Sequence, residues 1–404
     1  MNKRLILFTT CFLIISCLSL WAADFGLILD QTAKYGTLED EGVFEYSGSL
    51  VPRFSALLGN NSDIYISASI EAGYRDVLAF VPELLRTEFT FHSGNLGLKA
   101  GRMYISDPLG FIANGLFDGA RVSLDSNLGT FSLGAWYKGL LYKNRANITM
   151  TDEEYVSYLE YLDYDDFSNT YFAPRRLVSA LSWEHLGMGY FMARLSLLGQ
   201  FDLANGFDFS ANDLLHSQYL VGKISVPVNR FTFDAGAALG LVQSGGESGM
   251  ALAGELGIAW SPPTSLRQRI SLLGRYSSGS GSQFDAFLPI TTVAQGEILQ
   301  AKLSGISMVS LDYVARLHHT LSAGVSSSYF MRSNLAPYNV YPLFIESSNG
   351  YVLGNEFFGR LVWSPASDIQ LNLGGGIFLP SMGNAAPEAD NSWRIELNVV
   401  FSLR

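Results

Sequence analysis

The end of the chain shows its governing pattern most clearly. Trp393, Ile395, Leu397, Val399 and Phe401 alternate with Arg394, Glu396 and Asn398. Successive side chains of a strand point to opposite faces, so this stretch has one apolar face and one polar face. The same period runs through 63–74, where Ile64, Ile66, Ala68 and Ile70 oppose Ser67, Ser69 and Glu71. It returns in 81–92, where Leu85, Phe89 and Phe91 oppose Arg86, Glu88, Thr90 and His92.

A soluble sandwich alternates too, so the rhythm of the connections decides between architectures. Strands are predicted at 25–34, 43–58, 63–74, 81–92, 96–104, 117–124, 128–143, 176–183 and 188–201. Nine more follow at 214–226, 230–242, 250–260, 266–276, 298–314, 319–331, 351–363, 369–378 and 393–403. Tight turns such as Gly59-Asn60-Asn61-Ser62, Ser93-Gly94-Asn95, Asp125-Ser126-Asn127 and Ser364-Pro365-Ala366-Ser367 alternate with long segments at 144–175, 277–297 and 332–350. An even strand count, short turns at one end and long loops at the other predict an all-β fold. The expectation is a single antiparallel transmembrane β-barrel of about 18 strands, or 16 if one hairpin is miscounted. The short turns then face the periplasm and the long loops the outside. Aromatics near strand ends, including Trp136-Tyr137, Trp183, Trp260, Tyr329-Phe330, Trp363 and Trp393, fit interfacial girdles.

Composition agrees. Forty glycines, 20 tyrosines and 27 phenylalanines suit many short strands. After the leader no apolar run is long enough for a spanning helix. The N-terminus carries Lys3 and Arg4, then an apolar run from Leu5 to Leu20, then Trp21-Ala22-Ala23. This reads as a secretory leader over 1–23, with the barrel occupying 24–404 and lying in the cell outer membrane. Ile14-Ile15-Ser16-Cys17 offers a competing lipoprotein box that would acylate Cys17. Both cysteines, Cys11 and Cys17, lie in the leader, so a chain cut at Ala22 or Ala23 has neither disulfides nor thiolate metal sites. Without Lys3 and Arg4 it has 24 basic residues against 37 acids, a net charge near −13 that argues against a nucleic-acid partner.

With apolar residues facing lipid, parity sends the opposite residues inward. The basic candidates are Arg86, Arg121, Arg194, Arg267, Arg269, Arg275, Lys302, Arg360 and Arg394; the acidic ones are Glu71, Glu88, Asp234, Glu255, Glu356 and Glu396. Arginine is costly against lipid but useful inside, and rings of such charges set selectivity. The pairs Glu356 with Arg360 and Arg394 with Glu396 could equally neutralise one another and stiffen the wall. The segment from Ser106 to Leu116, with Asp107, Pro108, Phe111 and Asn114, is less polar than an exposed loop should be. It either folds inward as a constriction or forms a plain turn.

The acid- and tyrosine-rich loop holding Asp152, Glu153, Glu154, Glu160, Asp163, Asp165 and Asp166 has no calcium-loop spacing and reads as a solvated outer loop. Neither Gly-x-Ser-x-Gly, His-Glu-x-x-His nor a phosphate loop occurs, and the five histidines have no catalytic pattern. His318-His319 fits a periplasmic turn. No enzyme, metal or cofactor is implied.

Leu98-Lys99-Ala100-Gly101-Arg102, followed by Phe117-Asp118-Gly119-Ala120-Arg121-Val122, resembles the Gly-Arg and Phe-Asp-Gly strand pair of the alginate-export family of outer-membrane porins. The stretch Gly354-Asn355-Glu356-Phe357 through Gly376-Ile377-Phe378-Leu379-Pro380 resembles that family's closing hairpin. The resemblance implies an eighteen-stranded monomer with an arginine-lined conduit for an anionic polysaccharide, and it adds Arg102 to the inward candidates. The expected function is a passive porin for polar or anionic solutes, with oligo- or polysaccharide as a candidate cargo. Its expected partners are outer-membrane lipid, the barrel-assembly machinery and the solute. The alternative is a surface adhesin or structural barrel acting through its outer loops.

Overall fold

Strands with one apolar face, joined in sequence by tight turns, pair antiparallel with their chain neighbours until the sheet meets itself. The computed structural model follows this rule around a full circle. It describes residues 23–38, 41–74, 78–187, 190–204, 206, 214–244, 247–281, 283–335 and 350–403. The predicted leader, apart from Ala23, and most of the loop expected at 332–350 lie outside the described residues.

The strands are β1 (Ala23–Leu38), β2 (Glu41–Leu57), β3 (Ser62–Tyr74), β4 (Leu78–Ser93), β5 (Leu96–Ser106), β6 (Asn114–Ser126), β7 (Gly129–Tyr137), β8 (Arg176–Gly187) and β9 (Phe191–Asp202). They continue as β10 (His216–Val228), β11 (Phe231–Ser244), β12 (Glu247–Trp260), β13 (Arg269–Ser277), β14 (Ile306–Arg316), β15 (Leu321–Arg332), β16 (Val352–Ala366), β17 (Ile369–Leu379) and β18 (Ser392–Leu403). Three short helices, α1 (Lys143–Ala146), α2 (Asp152–Tyr158) and α3 (Phe167–Thr170), fall between β7 and β8. Each strand pairs with the next, and β1 pairs with β18 from Leu27↔Leu403 to Gly36↔Arg394, which closes an 18-stranded antiparallel barrel. All eighteen predicted strands are present, and the sixteen-strand alternative falls.

Alternation decides what faces where. Leu361, Leu373 and Leu397 lie side by side on β16, β17 and β18 and are exposed on the outer surface. Ile66, Ile70, Leu197, Leu220, Leu239 and Leu311 extend this outer layer around the barrel. A continuous apolar belt has the chemistry of a lipid-facing surface. Phe25, Phe231, Trp260 and Trp363 are exposed near the short-turn end, while Tyr35, Tyr74, Tyr104, Tyr276 and Tyr329 are exposed near the long-loop end. Trp136 and Phe330 do not join these girdles, because their parity turns them inward, where both are buried.

Most boundaries move by a few residues, and three of the moves are informative. The strand expected at 128–143 stops at Tyr137, since the Lys138 N–H bonds the Arg176 carbonyl and the chain then turns into α1. The strand expected from residue 298 begins at Ile306. Leu299, Ala301 and Leu303 alternate as a strand would, yet they are buried inside the barrel on an irregular segment. The strand expected from 266 begins at Arg269, leaving Arg267 in a turn with φ 45°.

Candidate functional site

Three connections at the long-loop end fold into the barrel: segment I (107–113), segment II (138–175) and segment III (278–305). The apolar residues of segments I and III, among them Leu109, Phe111, Ile112, Phe287, Ile290 and Leu299, share one buried cluster with inward wall residues such as Phe117, Trp136, Tyr219, Val221, Ala251 and Phe330, while Leu141, Ala146 and Ala173 of segment II form a second, smaller one against Leu116. The low polarity of 106–116 goes with burial: Leu109, Phe111, Ile112 and Ala113 pack in the larger cluster.

Asp107 organises segment I. Its buried carboxylate accepts N–H bonds from Leu109 at 2.8 Å, Gly110 at 3.1 Å, Ile112 at 2.8 Å and Ala113 at 2.9 Å. An unpaired buried carboxylate would be costly; four converging donors make this one a fixed knot. Burial still pushes its pKa up, against the pull of those donors. Pro108 follows where no N–H is needed. Leu109 then reaches β11, where a Cβ on Gly236 would stand 2.3 Å from its Cδ2. Phe111, fully buried, lies 5.3 Å from the Arg275 guanidinium on β13. Asn114 ends the segment: its N–H bonds Thr291 Oγ1 at 2.7 Å, and its Nδ2 donates to the Gly110 carbonyl at 2.6 Å. A segment rooted between β5 and β6 that touches β11 and β13 crosses the interior.

Segments II and III meet it there. The Thr291 N–H bonds the Ile112 carbonyl at 2.9 Å, and the Thr149 N–H bonds the Ile290 carbonyl at 3.1 Å. Segment II also holds the opposite wall, where Arg145 pairs with Glu83 at 2.7 Å and with Glu71, and Tyr171 donates to the Pro82 carbonyl at 2.8 Å. Arg176, fully buried at the start of β8, binds Glu154 of α2 at 2.6 Å and lies 2.8 Å from Asp202, off the line of a good N–H bond to the latter.

Segment III is fastened by Glu356. The buried carboxylate accepts N–H bonds from Glu297 at 2.7 Å and from Ile298 and Leu299 at 2.9 Å each. Glu356 does not pair with Arg360. Residues four apart on a strand are about 13 Å apart, beyond direct contact. Arg360 instead pairs with Glu297 at 2.7 Å.

Most other inward arginines also have acids beside them. Arg86 pairs with Glu88 at 2.6 Å and lies over the Tyr65 ring, and Lys99 takes the other Glu88 oxygen at 2.5 Å. Arg194 pairs with Glu184 at 2.6 Å. Glu255 holds Lys223 at 2.6 Å and Arg275 at 3.2 Å, and the side-chain-free Gly236, set between Lys223 and Glu255 in register, lets that first pair form. Arg394 lies 3.4 Å from Glu396, as two residues on one face can. Arg102 is not among the inward arginines: it shares its face of β5 with Tyr104, opposite to Met103, and is buried in a two-bond fork with Asp118, 2.8 Å each, so the two short motifs behind the family resemblance bind one another. Lys302 lies on segment III and not on the wall, with its Nζ 5.9 Å from the Tyr155 ring. Arg121 makes no ion pair among the described residues. The expected arginine surplus is thus largely neutralised. Lys99, Lys223, Arg145 and Arg176 were not singled out from the sequence. Parity could have flagged Lys223, which alternates with Leu220, Gly222 and Ile224 in the register of its strand.

The inner face of β17, β18 and β1 carries a different chemistry. Gln370 donates to Asn372 at 3.0 Å, Asn372 to Asn398 at 2.7 Å, and Asn398 to Asp30 at 2.5 Å and Thr32 at 2.9 Å. This amide chain crosses the seam where the first and last strands meet. On the other side, a cavity of about 350 Å³ lies between segment I and β6–β9, bordered by Arg121, Ser123, Ser132, Trp136, Ser182, Arg194 and Ser196.

Lys138 marks the hinge of segment II. It is fully buried, donates to the Leu116 carbonyl at 3.0 Å and lies 4.0 Å from the Phe117 ring centre. Burial pulls its pKa down to about 7 from 10.5; Asp118 opposes the fall and Arg102 adds to it. Between pH 7 and 10.5 the unfolded chain therefore holds a proton that the folded chain has released, and stability rises with pH across that window. The melting temperature is expected to climb from pH 7 to 10, and Lys138→Met to flatten that climb.

No family model and no curated protein matches the chain. Solved structures share its fold. OccK2 (OpdF) of Pseudomonas aeruginosa in complex with glucuronate superposes with a TM-score of 0.61 at 11% identity, over 95% of this chain and 96% of that one. The outer membrane protein OprD of the same organism gives 0.59 at 12%, over 94% and 93%, and its OpdQ gives 0.61 at 10%, over 95% and 99%. At these identities the likeness is one of fold. What is shared is the 18-stranded barrel, and the resemblance to the alginate-export family finds no support.

Proposed function

We propose that the chain is a passive outer-membrane channel for polar solutes and catalyses no reaction. The path runs between the inserted segments and the inner wall of β16–β18, β1 and β2. The observation that carries this reading is the Arg360–Glu297 pair, which stands where segment III meets that wall. Its two side chains remain 48% and 42% exposed although both lie inside a closed barrel. Exposure there means water beside the inserted loops. The amide chain from Gln370 to Asp30 and the Arg394–Glu396 pair give the same wall a polar surface without a dominant charge. The belt of outward leucines and isoleucines supports a membrane setting, and the porin-like barrels that share the fold support the same reading.

The inward tethers of segment II favour a channel role for that loop over the contact surface of an adhesin. The solute class is polar and small; the mixed wall argues against a dedicated conduit for a polyanion.

Reversal potentials in planar bilayers under a potassium chloride gradient test this reading. A wall of paired charges predicts conduction with weak ion preference. Replacing Arg360 and Arg394 together by glutamate should shift the reversal potential clearly toward cation selectivity. Strong selectivity in the wild type, untouched by that double change, would contradict the path.

A further inference from the structure

Four adjacent strands place serine in one lateral row on the inner wall: Ser123 pairs with Ser132 in register, Ser132 with Ser182, and Ser182 with Ser196. Neighbouring strands are about 4.8 Å apart, so the row presents hydroxyls at that spacing. Ser196 donates to Ser182 at 2.8 Å; the Ser123 and Ser132 hydroxyls make no hydrogen bond to another described residue. Arg121, one step along the β6 face from Ser123, has no ion pair among them either. All five border the 350 Å³ cavity behind segment I. Its volume falls within the roughly 300–1,000 Å³ of small-molecule sites.

The space is maintained by the sequence. Gly119 and Gly134 face inward beside Trp136, and a Cβ on either would stand 2.7 Å or less from the indole. The indole therefore lies flat against the wall and closes one side of the cavity without filling it. Small polar residues on four strands hold the rest open, while Leu109 reaches across to β11. An apolar void would only cost stability, whereas a void lined with unspent donors and acceptors suits a polar occupant.

We propose that this cavity binds one hydroxyl-rich solute of monosaccharide size. A serine hydroxyl both donates and accepts, and so does each hydroxyl of a polyol, so a row of serines matches neighbouring hydroxyls without fixing a charge. Arg121 supplies further donors, to ring hydroxyls of a neutral sugar or to the carboxylate of a sugar acid. The site goes beyond the channel reading: it lies on the wall opposite the proposed path, and occupancy does not require conduction.

The test is a titration of the purified full barrel in detergent, followed by tryptophan fluorescence and calorimetry, with D-glucose, D-gluconate and butyrate as probes. Saturable binding of glucose, with gluconate bound as well or better and butyrate not bound, is expected. Gluconate binding tighter than glucose, with the difference lost in Arg121→Ala, assigns the carboxylate to Arg121. Ser132→Leu fills the cavity and should weaken glucose binding at least tenfold; Ser123→Leu serves if the first variant fails to migrate as a folded, heat-modifiable barrel. No saturation by glucose, saturation by gluconate and butyrate alone, or affinity unchanged in a folded leucine variant would overturn the proposal. Conduction measured on the same preparation separates failure of this site from failure of the channel reading.

Discussion

Asp107→Ala should release segment I while leaving the barrel closed. The change removes the acceptor of four backbone N–H groups, at Leu109, Gly110, Ile112 and Ala113. Each buried donor left unpaired costs about 1–3 kcal/mol, so the segment cannot keep its wild-type path. Opening locally and giving those donors to water costs less. The ladder of β5 and β6 does not depend on the carboxylate, since its register runs unbroken from Leu96↔Leu124 to Ser106↔Asn114. Hydrogen exchange at Leu109–Ala113 should accelerate by about a hundredfold or more, the factor that the loss of some 3 kcal/mol implies. Heat-modifiable migration should stay as in the wild type. Unchanged protection of those amides would show that apolar packing of Leu109 and Phe111 holds the segment without the carboxylate.

Arg176→Met should have the largest effect on stability. Its guanidinium is fully buried between Glu154 of α2 and the buried Asp202 at the end of β9. Removing one partner of a buried ion pair costs about 3–5 kcal/mol, because the other charge is stranded. Asp202 keeps its bonds from the Ala204 and Leu215 N–H groups, 2.9 and 3.0 Å, so part of its charge stays satisfied. Glu154 loses its link to the wall, and the outer half of segment II is then expected to detach. A lower melting temperature should be accompanied by new protease cleavage near α2. A stable variant resistant to protease would mean that the Arg145 and Tyr171 tethers suffice.

Buried charged groups such as Asp107 and Arg176 separate what the sequence could reveal from what it could not. Strands such as β18 are legible because water or polar contacts on one side and lipid on the other impose a period of two on every residue. Segment I is legible for a related reason: Leu109, Phe111 and Ile112 are too apolar for an exposed loop. Leu299, Ala301 and Leu303 mislead because burial in the lumen imposes no period, and chance alternation there imitates a strand. Pairing is harder still. Arg394 and Glu396, two apart on one face, can be matched by parity and do lie together. Glu356 and Arg360 share a face, but their true partners, the N–H groups of 297–299 and the side chain of Glu297, lie 57 to 63 residues away. Parity places an arginine inside without saying which acid will meet it, so an inward surplus was expected where near balance is found. The serine row and the Gly119–Gly134 bed for Trp136 are visible only in register, since each strand contributes a single unremarkable residue.

Single-channel conductance in planar bilayers, wild type against the Asp107→Ala, Glu356→Ala double variant, tests most directly the claim that an aqueous path is narrowed by fastened loops. Small, discrete steps are expected in the wild type, and steps several-fold larger once both buried carboxylates are gone. A wild-type barrel that inserts without conducting, or steps of equal size in both proteins, would contradict that claim.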